Sequence, residues 1–222
     1  MERKEIIIVD CYEKEIELGH RAEEVDVLVQ NAEIRKIIAN IKAIMKEKNL
    51  TSLSAPVIGY NKRIFCIKFD GDIKAFINPI IVQPQGLQLS KEVCISIPGK
   101  TYILPRNNDI TVMYQKATGT AETQQMVGMA AFVFQHELNH LDGLLISDFG
   151  AEVPENYDEW SDEDKQEFID AYLDTLDLKH KEIHEEIEAN SELKELHDGI
   201  NFMESVVRGD VKLATKEDMG EK

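Results

Sequence analysis

Gln135-His136-Glu137-Leu138-Asn139-His140-Leu141-Asp142-Gly143 is the stretch on which the reading of this chain turns. It contains H-E-x-x-H. From Thr123 to Leu141 the apolar residues Met126, Met129, Ala130, Val133 and Phe134 recur at helical intervals over a run too long for a typical strand, and Gly143 is a stop signal. This pattern predicts a helix over 123–141. On a helix His136 and His140 share a face, so both imidazoles reach one metal ion. Glu137, one residue offset, is placed to act as a general base on water activated by such an ion. Random shuffling of this composition would produce the pattern about 0.02 times. The competing reading is an exposed acidic helix face with incidental histidines.

Two histidines leave a catalytic metal under-ligated, because such sites take three protein ligands and keep one position open. The downstream candidates are His180, His184, His197 and many carboxylates, all in an acidic stretch where charge is ordinarily a solvated face. Upstream stands Cys94, in Lys91-Glu92-Val93-Cys94-Ile95-Ser96-Ile97-Pro98-Gly99. A lone cysteine among apolar residues is more often a buried small hydrophobe.

Outward from these residues the pattern is mixed. Glu5 to Val9 reads as a first strand. Ile34, Ile37, Ile38, Ile41, Ile44 and Met45 form one face of an amphipathic helix over 31–48. Strands are expected at 63–69, 74–77, 80–83, 86–89 and 109–115. Asp70-Gly71, Asn78-Pro79 and Pro84-Gln85-Gly86 punctuate them, and such short connections favour antiparallel pairing.

The chain has 222 residues, 43 % of them hydrophobic and 30 % charged, enough for one domain and an extension. No apolar run reaches the roughly 20 residues a membrane helix needs, and the N-terminus lacks a signal-peptide pattern. Cys11, Cys66 and Cys94 are odd in number and widely spaced, which argues against a disulfide framework. The expected location is the cytoplasm. The net charge of −17 is unevenly spread: residues 1–150 carry 17 Lys+Arg and 19 Asp+Glu, residues 151–222 carry 8 and 23. A polyanionic end disfavours direct nucleic-acid binding. The expected organisation is therefore a domain over 1–150 and an acidic helical extension over 151–222. Its two helical stripes are capped at Ser161 and Ser191, and its last dozen residues are expected to be disordered. Packing is the default role of that extension, with self-association or binding of a basic partner as alternatives.

Three segments together carry a family resemblance. Glu92-Val93-Cys94-Ile95-Ser96 resembles the E-G-C-L-S motif of peptide deformylases. Gln135 to Gly143 resembles their Q-H-E-x-D-H-L-x-G, and Leu53-Ser54-Ala55-Pro56-Val57-Ile58-Gly59 their G-x-G-L-A-A-P-Q-x-G. Asn78-Pro79, and Ser96-Ile97-Pro98-Gly99 leading to Pro105-Arg106, fit the same order over roughly residues 5–150. The resemblance implies an α+β fold of antiparallel strands around a central H-E-x-x-H helix. It implies Cys94, His136 and His140 as metal ligands and Glu137 as acid/base, with the backbone N–H of Ile95 in the oxyanion site. Glu92, Met129, Phe132 and Val133 would line a methionine pocket, with Arg106 pairing to Glu92. The implied ion is Fe²⁺, with Zn²⁺, Ni²⁺ or Co²⁺ as substitutes, and the implied substrate is the formyl-methionine end of nascent polypeptides.

The departures are specific. Val57 stands where the family has the oxyanion glutamine, Leu50 and Ser52 stand at the two glycines of the first motif, and Val93 stands at the glycine of the second. Asn139 replaces the acidic residue between the histidines. Thr51, Ser52 and Ser54 are the nearby hydroxyls that could substitute for the lost donor. The acidic C-terminus contrasts with the basic C-terminal helix some bacterial relatives use at the ribosome. Deformylation is thus the expected activity. The alternatives are a related metallo-amidase acting on another acyl group, a non-catalytic metal-binding or interaction protein, and a zincin-type protease, which leaves the Cys94 segment unexplained.

Overall fold

In the computed structural model, residues 4–7, 18–69, 71–153, 156–171 and 174 are described. The chain divides into two compact units, Met1–Ile169 and Asp170–Lys222. Nearly all of the described residues belong to the first. Cys11, the caps and stripe after residue 174, and His180, His184 and His197 lie outside the described residues, as do Ile8 and Val9 of the expected first strand. Residues 4–7 have no regular structure, although the Ile7 N–H donates to the Val57 carbonyl at 2.8 Å.

Among the described elements of the first unit, helix α1 (Asn31–Glu47) comes first, followed by strand β1 (Ser52–Ser54) and a 3₁₀ turn at Pro56–Ile58. Strands β2 (Ile64–Phe69), β3 (Asp72–Cys94), β4 (Ile97–Gln115) and β5 (Ala121–Val127) come next. Helix α2 (Met129–Leu141), a short α3 (Ile146–Phe149) and β6 (Ala151–Glu152) close the domain. The sheet order is β1-β2-β3-β4-β5, antiparallel throughout, with β6 added to β4. This is the expected α+β arrangement. No helix among the described residues is long and apolar enough to cross a membrane.

Strand β2 is buried on both faces, and its period of two sorts the core. Ile64 and Cys66 pack with Ile34, Ile37 and Ile41 of α1. Phe65 and Ile67 pack with Phe76, Phe134 and Leu141 on the α2 side. There the Phe65, Phe76 and Phe134 rings meet at 5.0–5.4 Å between centroids, two of the three contacts edge-on. Truncating Phe134, which has no exposed surface, would cost about 3–5 kcal/mol. That makes it the aromatic anchor of the H-E-x-x-H helix.

Three expectations from the sequence are corrected. The helix expected over 123–141 starts at Met129, and residues 121–127 form β5. Gly128, at φ +59°, separates strand from helix. The apolar spacing at Met126 that looked helical is also compatible with period two, and pairing to β4 decides it. The turn expected at Pro84-Gln85-Gly86 and the stop at Asn78-Pro79 are both absorbed into the 23-residue β3. Among the described residues β3 pairs with β2 only as far as Ile77 and with β4 beyond it, which leaves one edge of the strand free, and a strand with a free edge tolerates proline. Asn78 takes φ +47°, and its side chain bonds the Val25 N–H and carbonyl and the Gln115 side chain. The expected stop at Gly143 holds. Its φ is +74°, and a Cβ there would come within 2.6 Å of the Gly19 carbonyl oxygen. The Ser161 cap holds as well, with its Oγ accepting from the Asp164 N–H at 3.1 Å.

Candidate active site

Cys94 is the last residue of β3, ahead of the tight turn through Ile95 and Ser96 into β4. The turn delivers the thiol to the face of α2 that carries His136 and His140. The three donor atoms lie within 4.8 Å of one another, and Cys94 Sγ is 3.3 Å from His140 Nε2. Cys94 and His140 are each 3 % exposed.

The surrounding contacts orient these donors. Glu92 Oε2 is 2.9 Å from His136 Nδ1, which leaves Nε2 of that ring to face the thiol. Arg106 grips the same carboxylate through both oxygens, at 2.9 and 3.0 Å, and also donates to Asn139 Oδ1. The Arg106 guanidinium lies over the Phe149 ring at 5.6 Å. Gln135 ties α2 to β4, accepting from the Asn107 N–H and donating to its carbonyl. The sequence suggested the Glu92–Arg106 pair but gave no sign that Glu92 also holds His136. That contact requires β3 to run unbroken alongside β4.

Burial opposes ionisation of Glu92, yet the hydrogen bonds from His136 and Arg106 prevail and hold its carboxyl at about 2. Burial likewise opposes the Cys94 thiolate, but the two imidazoles beside it bring the thiol down to about 6. The result is a thiolate beside an imidazole held through its Nδ1 and a second imidazole in contact with the thiol, the donor types a divalent transition metal takes. The outer Glu92–His136 contact is the support such ligands characteristically have. Glu137, 4 % exposed, lines the adjoining cavity, and its Oε2 has no hydrogen-bond partner among the described residues. A buried carboxylate oxygen left open beside three metal donors fits an ion with an accessible water position.

Two cavities meet here. One, of about 520 Å³, is lined by Cys94, Ile95, His136, Glu137, His140 and Val57, among others. The other, of about 190 Å³, is lined by Glu92, Met129, Phe132 and Val133, the four residues expected at a side-chain pocket. Thr51, Ser52, Val93 and His136 line both and form the partition between them. Of the residues replacing glycines, Ser52 and Val93 therefore reach the cleft. Leu50 instead packs against the α1 core. Of the three candidate hydroxyls, Thr51 and Ser52 line the larger cavity. Ser54 is fully buried, with no partner for its Oγ among the described residues.

Comparison with known proteins agrees with this geometry. Residues 7–153 match the family model for polypeptide deformylase. The chain is 33 % identical to a peptide deformylase of Dictyoglomus turgidum over 132 residues, 60 % of this chain and 83 % of that protein. It is 31 % identical to that of Thermodesulfovibrio yellowstonii over 148 residues, 64 % and 88 % of the two chains. Among solved structures, the peptide deformylase of Thermotoga maritima aligns with a TM-score of 0.60 and 30 % identity, over 67 % of this chain and 97 % of that one. A Synechococcus elongatus peptide deformylase in complex with actinonin aligns with a TM-score of 0.60 and 26 % identity, over 67 % and 79 %.

Proposed function

The chain belongs to the polypeptide deformylase family, and from that premise we infer that it removes the formyl group from the N-terminal methionine of nascent polypeptides as a metal-dependent hydrolase. The observation that carries this reading is the convergence of Cys94, His136 and His140 within 4.8 Å beside Glu137, whose buried Oε2 has no partner among the described residues. We assign these three residues as metal ligands and Glu137 as the catalytic acid/base. Fe²⁺ is the proposed native ion, because a thiolate ligand suits it, with Zn²⁺, Ni²⁺ or Co²⁺ able to replace it. The cytoplasm is the proposed compartment, since a thiolate site favours reducing conditions. Residues 1–150 are proposed as the catalytic domain. The acidic extension over 151–222 is proposed to serve packing or association.

When bound, the ion supplies Lewis acidity that polarises the formyl carbonyl and acidifies water. Glu137 takes the proton of the attacking water at its carboxylate and delivers it to the departing amine nitrogen. The Ile95 backbone N–H donates to the developing oxyanion. Val57 is 1 % exposed, lines the cavity and has no side-chain donor, so Thr51 and Ser52 carry the hydroxyls nearest that role. Met129, Phe132 and Val133 hold the methionine side chain in the smaller cavity, with Glu92 at its wall keeping His136 in register.

The test is deformylation of a formyl-Met peptide by anaerobically purified protein loaded with Fe²⁺ or Co²⁺, beside Glu137→Ala. Turnover that disappears in the variant supports the reading. Stoichiometric metal with turnover no greater than the variant's would overturn it and favour an amidase for a different acyl group, the reading to which Val57 points.

A further inference from the structure

A cavity of about 870 Å³ lies apart from the catalytic one and shares none of its lining residues. Two of its walls, α1 and β2, carry three cations. Lys42 and Lys46 stand four residues apart on α1 and so on one helix face. Lys68 stands on β2 opposite Ile73, and Cys66 stands opposite Ala75, so all four side chains share one face of the β2–β3 pair. That is the face α1 covers, because Cys66 belongs to the α1 core and Ile73 and Ala75 pack against it. The Lys42 charge is felt at the Cys66 thiol. Lys42, Lys46 and Lys68 therefore border one concavity over an apolar floor of Met45, Ile73 and Ala75.

The charge arrangement is mildly unfavourable without a ligand. Among the described residues no carboxylate forms an ion pair with any of the three, in a chain with 42 Asp+Glu against 25 Lys+Arg. Like charges at i and i+4 repel along a helix. The other two lysines on the wall are engaged: Lys74 lies over the Phe69 ring at 4.6 Å, and Lys116 pairs with Glu122. Of the two carboxylates on the wall, Glu122 is held by Lys116 and Tyr114, and Asp72 sits exposed at the β2–β3 turn. Among the described lining residues five lysines stand against two acids.

We propose that this cavity binds a compact anion carrying two or three linked phosphate groups, with Lys42, Lys46 and Lys68 as its cationic contacts. Lysine ammonium groups are point-charge phosphate binders. The volume falls in the range of small-molecule sites, and the apolar floor accepts an organic moiety attached to the phosphates. The inference does not depend on the catalytic reading.

The test is calorimetric titration of the full chain with inorganic tripolyphosphate, and separately with adenosine triphosphate, against sodium sulfate at matched ionic strength. The expected result is one-to-one binding of tripolyphosphate that sulfate does not reproduce. It should weaken at least about tenfold in a Lys42→Gln, Lys46→Gln, Lys68→Gln triple variant, as the loss of charge-assisted contacts requires. Tighter binding of the nucleotide assigns the apolar floor to an organic group, and equal binding assigns the recognition to phosphate alone. Without ligand, the triple variant should melt no lower than the parent, because the repulsion is gone. Equal binding by parent and variant, or no binding by the parent, would overturn the proposal. So would a variant that melts markedly lower, or an oligoribonucleotide bound through these lysines while tripolyphosphate is not.

Discussion

Helix α2 and residues 50–59 border the same catalytic cavity, and they keep different amounts of the family's chemistry. On α2, His136, Glu137 and His140 are all present. His136 is held by Glu92, Glu92 by Arg106, and Arg106 also bonds Asn139. In residues 50–59 Val57, where the resemblance implies an amide donor, offers no side-chain donor, and Ser52 brings a side chain to the partition between the two cavities. The contrast separates two requirements. Holding a metal depends on rigid side chains whose positions reinforce one another, so it survives only if the set survives. Stabilising an oxyanion depends on individual donors, each of which can be lost at a finite cost in rate.

The comparison can be broken most forcefully from the α2 side. Glu137→Gln should lower deformylation by about 10²–10⁴ while metal content stays stoichiometric, because only the proton carrier is removed. Loss of metal in that variant would show that the two requirements are not separable. From the other side, Val57→Gln should raise kcat by about 10²–10³ with little change in KM if the site lacks that donor. No gain would mean that Thr51 or Ser52 already fills the role, and Ser52→Ala in both backgrounds would then identify which.

A smaller effect is expected in the support of α2. Glu92→Gln keeps the shape but removes the charge that orients His136, and should weaken metal affinity or activity by about 10–100-fold. Metal content after graded chelation measures this directly. The subtlest test is pH. Glu92 is held at about 2, below its ordinary 4.5, so its contribution to the metal-free protein is fully present above 4.5 and is lost as pH falls toward 2. Urea unfolding of metal-free protein between pH 5 and 2.5 should show a decline that is shallower in Glu92→Gln. Equal slopes would place the acid sensitivity elsewhere.

Legibility in the sequence followed the range of the interactions. The α1 face from Ile34 to Met45, the strand at β2, the His136/His140 pair and the stop at Gly143 are set by neighbours within a few residues. The beginning of α2 was misread because Met126 satisfies either period, and only the partner strand β4 chooses between them. The turn expected at Pro84 does not form: a proline breaks a strand flanked on both sides, but among the described residues β3 has one free edge there, and that depends on where β2 ends its pairing.

What the sequence by itself determined is the helical half of the candidate donor set, while Cys94 joined it through the family resemblance. The i, i+4 spacing of two histidines, with glutamate between, carries its own geometry wherever the helix sits. The motif order around Cys94 and residues 53–59 identified the family without coordinates. Tertiary structure decided the remainder. It brought Cys94 to His140, placed Glu92 between Arg106 and His136, sent Leu50 to the core and Ser52 to the cleft, and gathered Lys42, Lys46 and Lys68 around one cavity. Each of these joins residues distant in the chain, and which side chains share a face depends on strand register. A shift of one residue reverses it, and only the packed sheet selects the register.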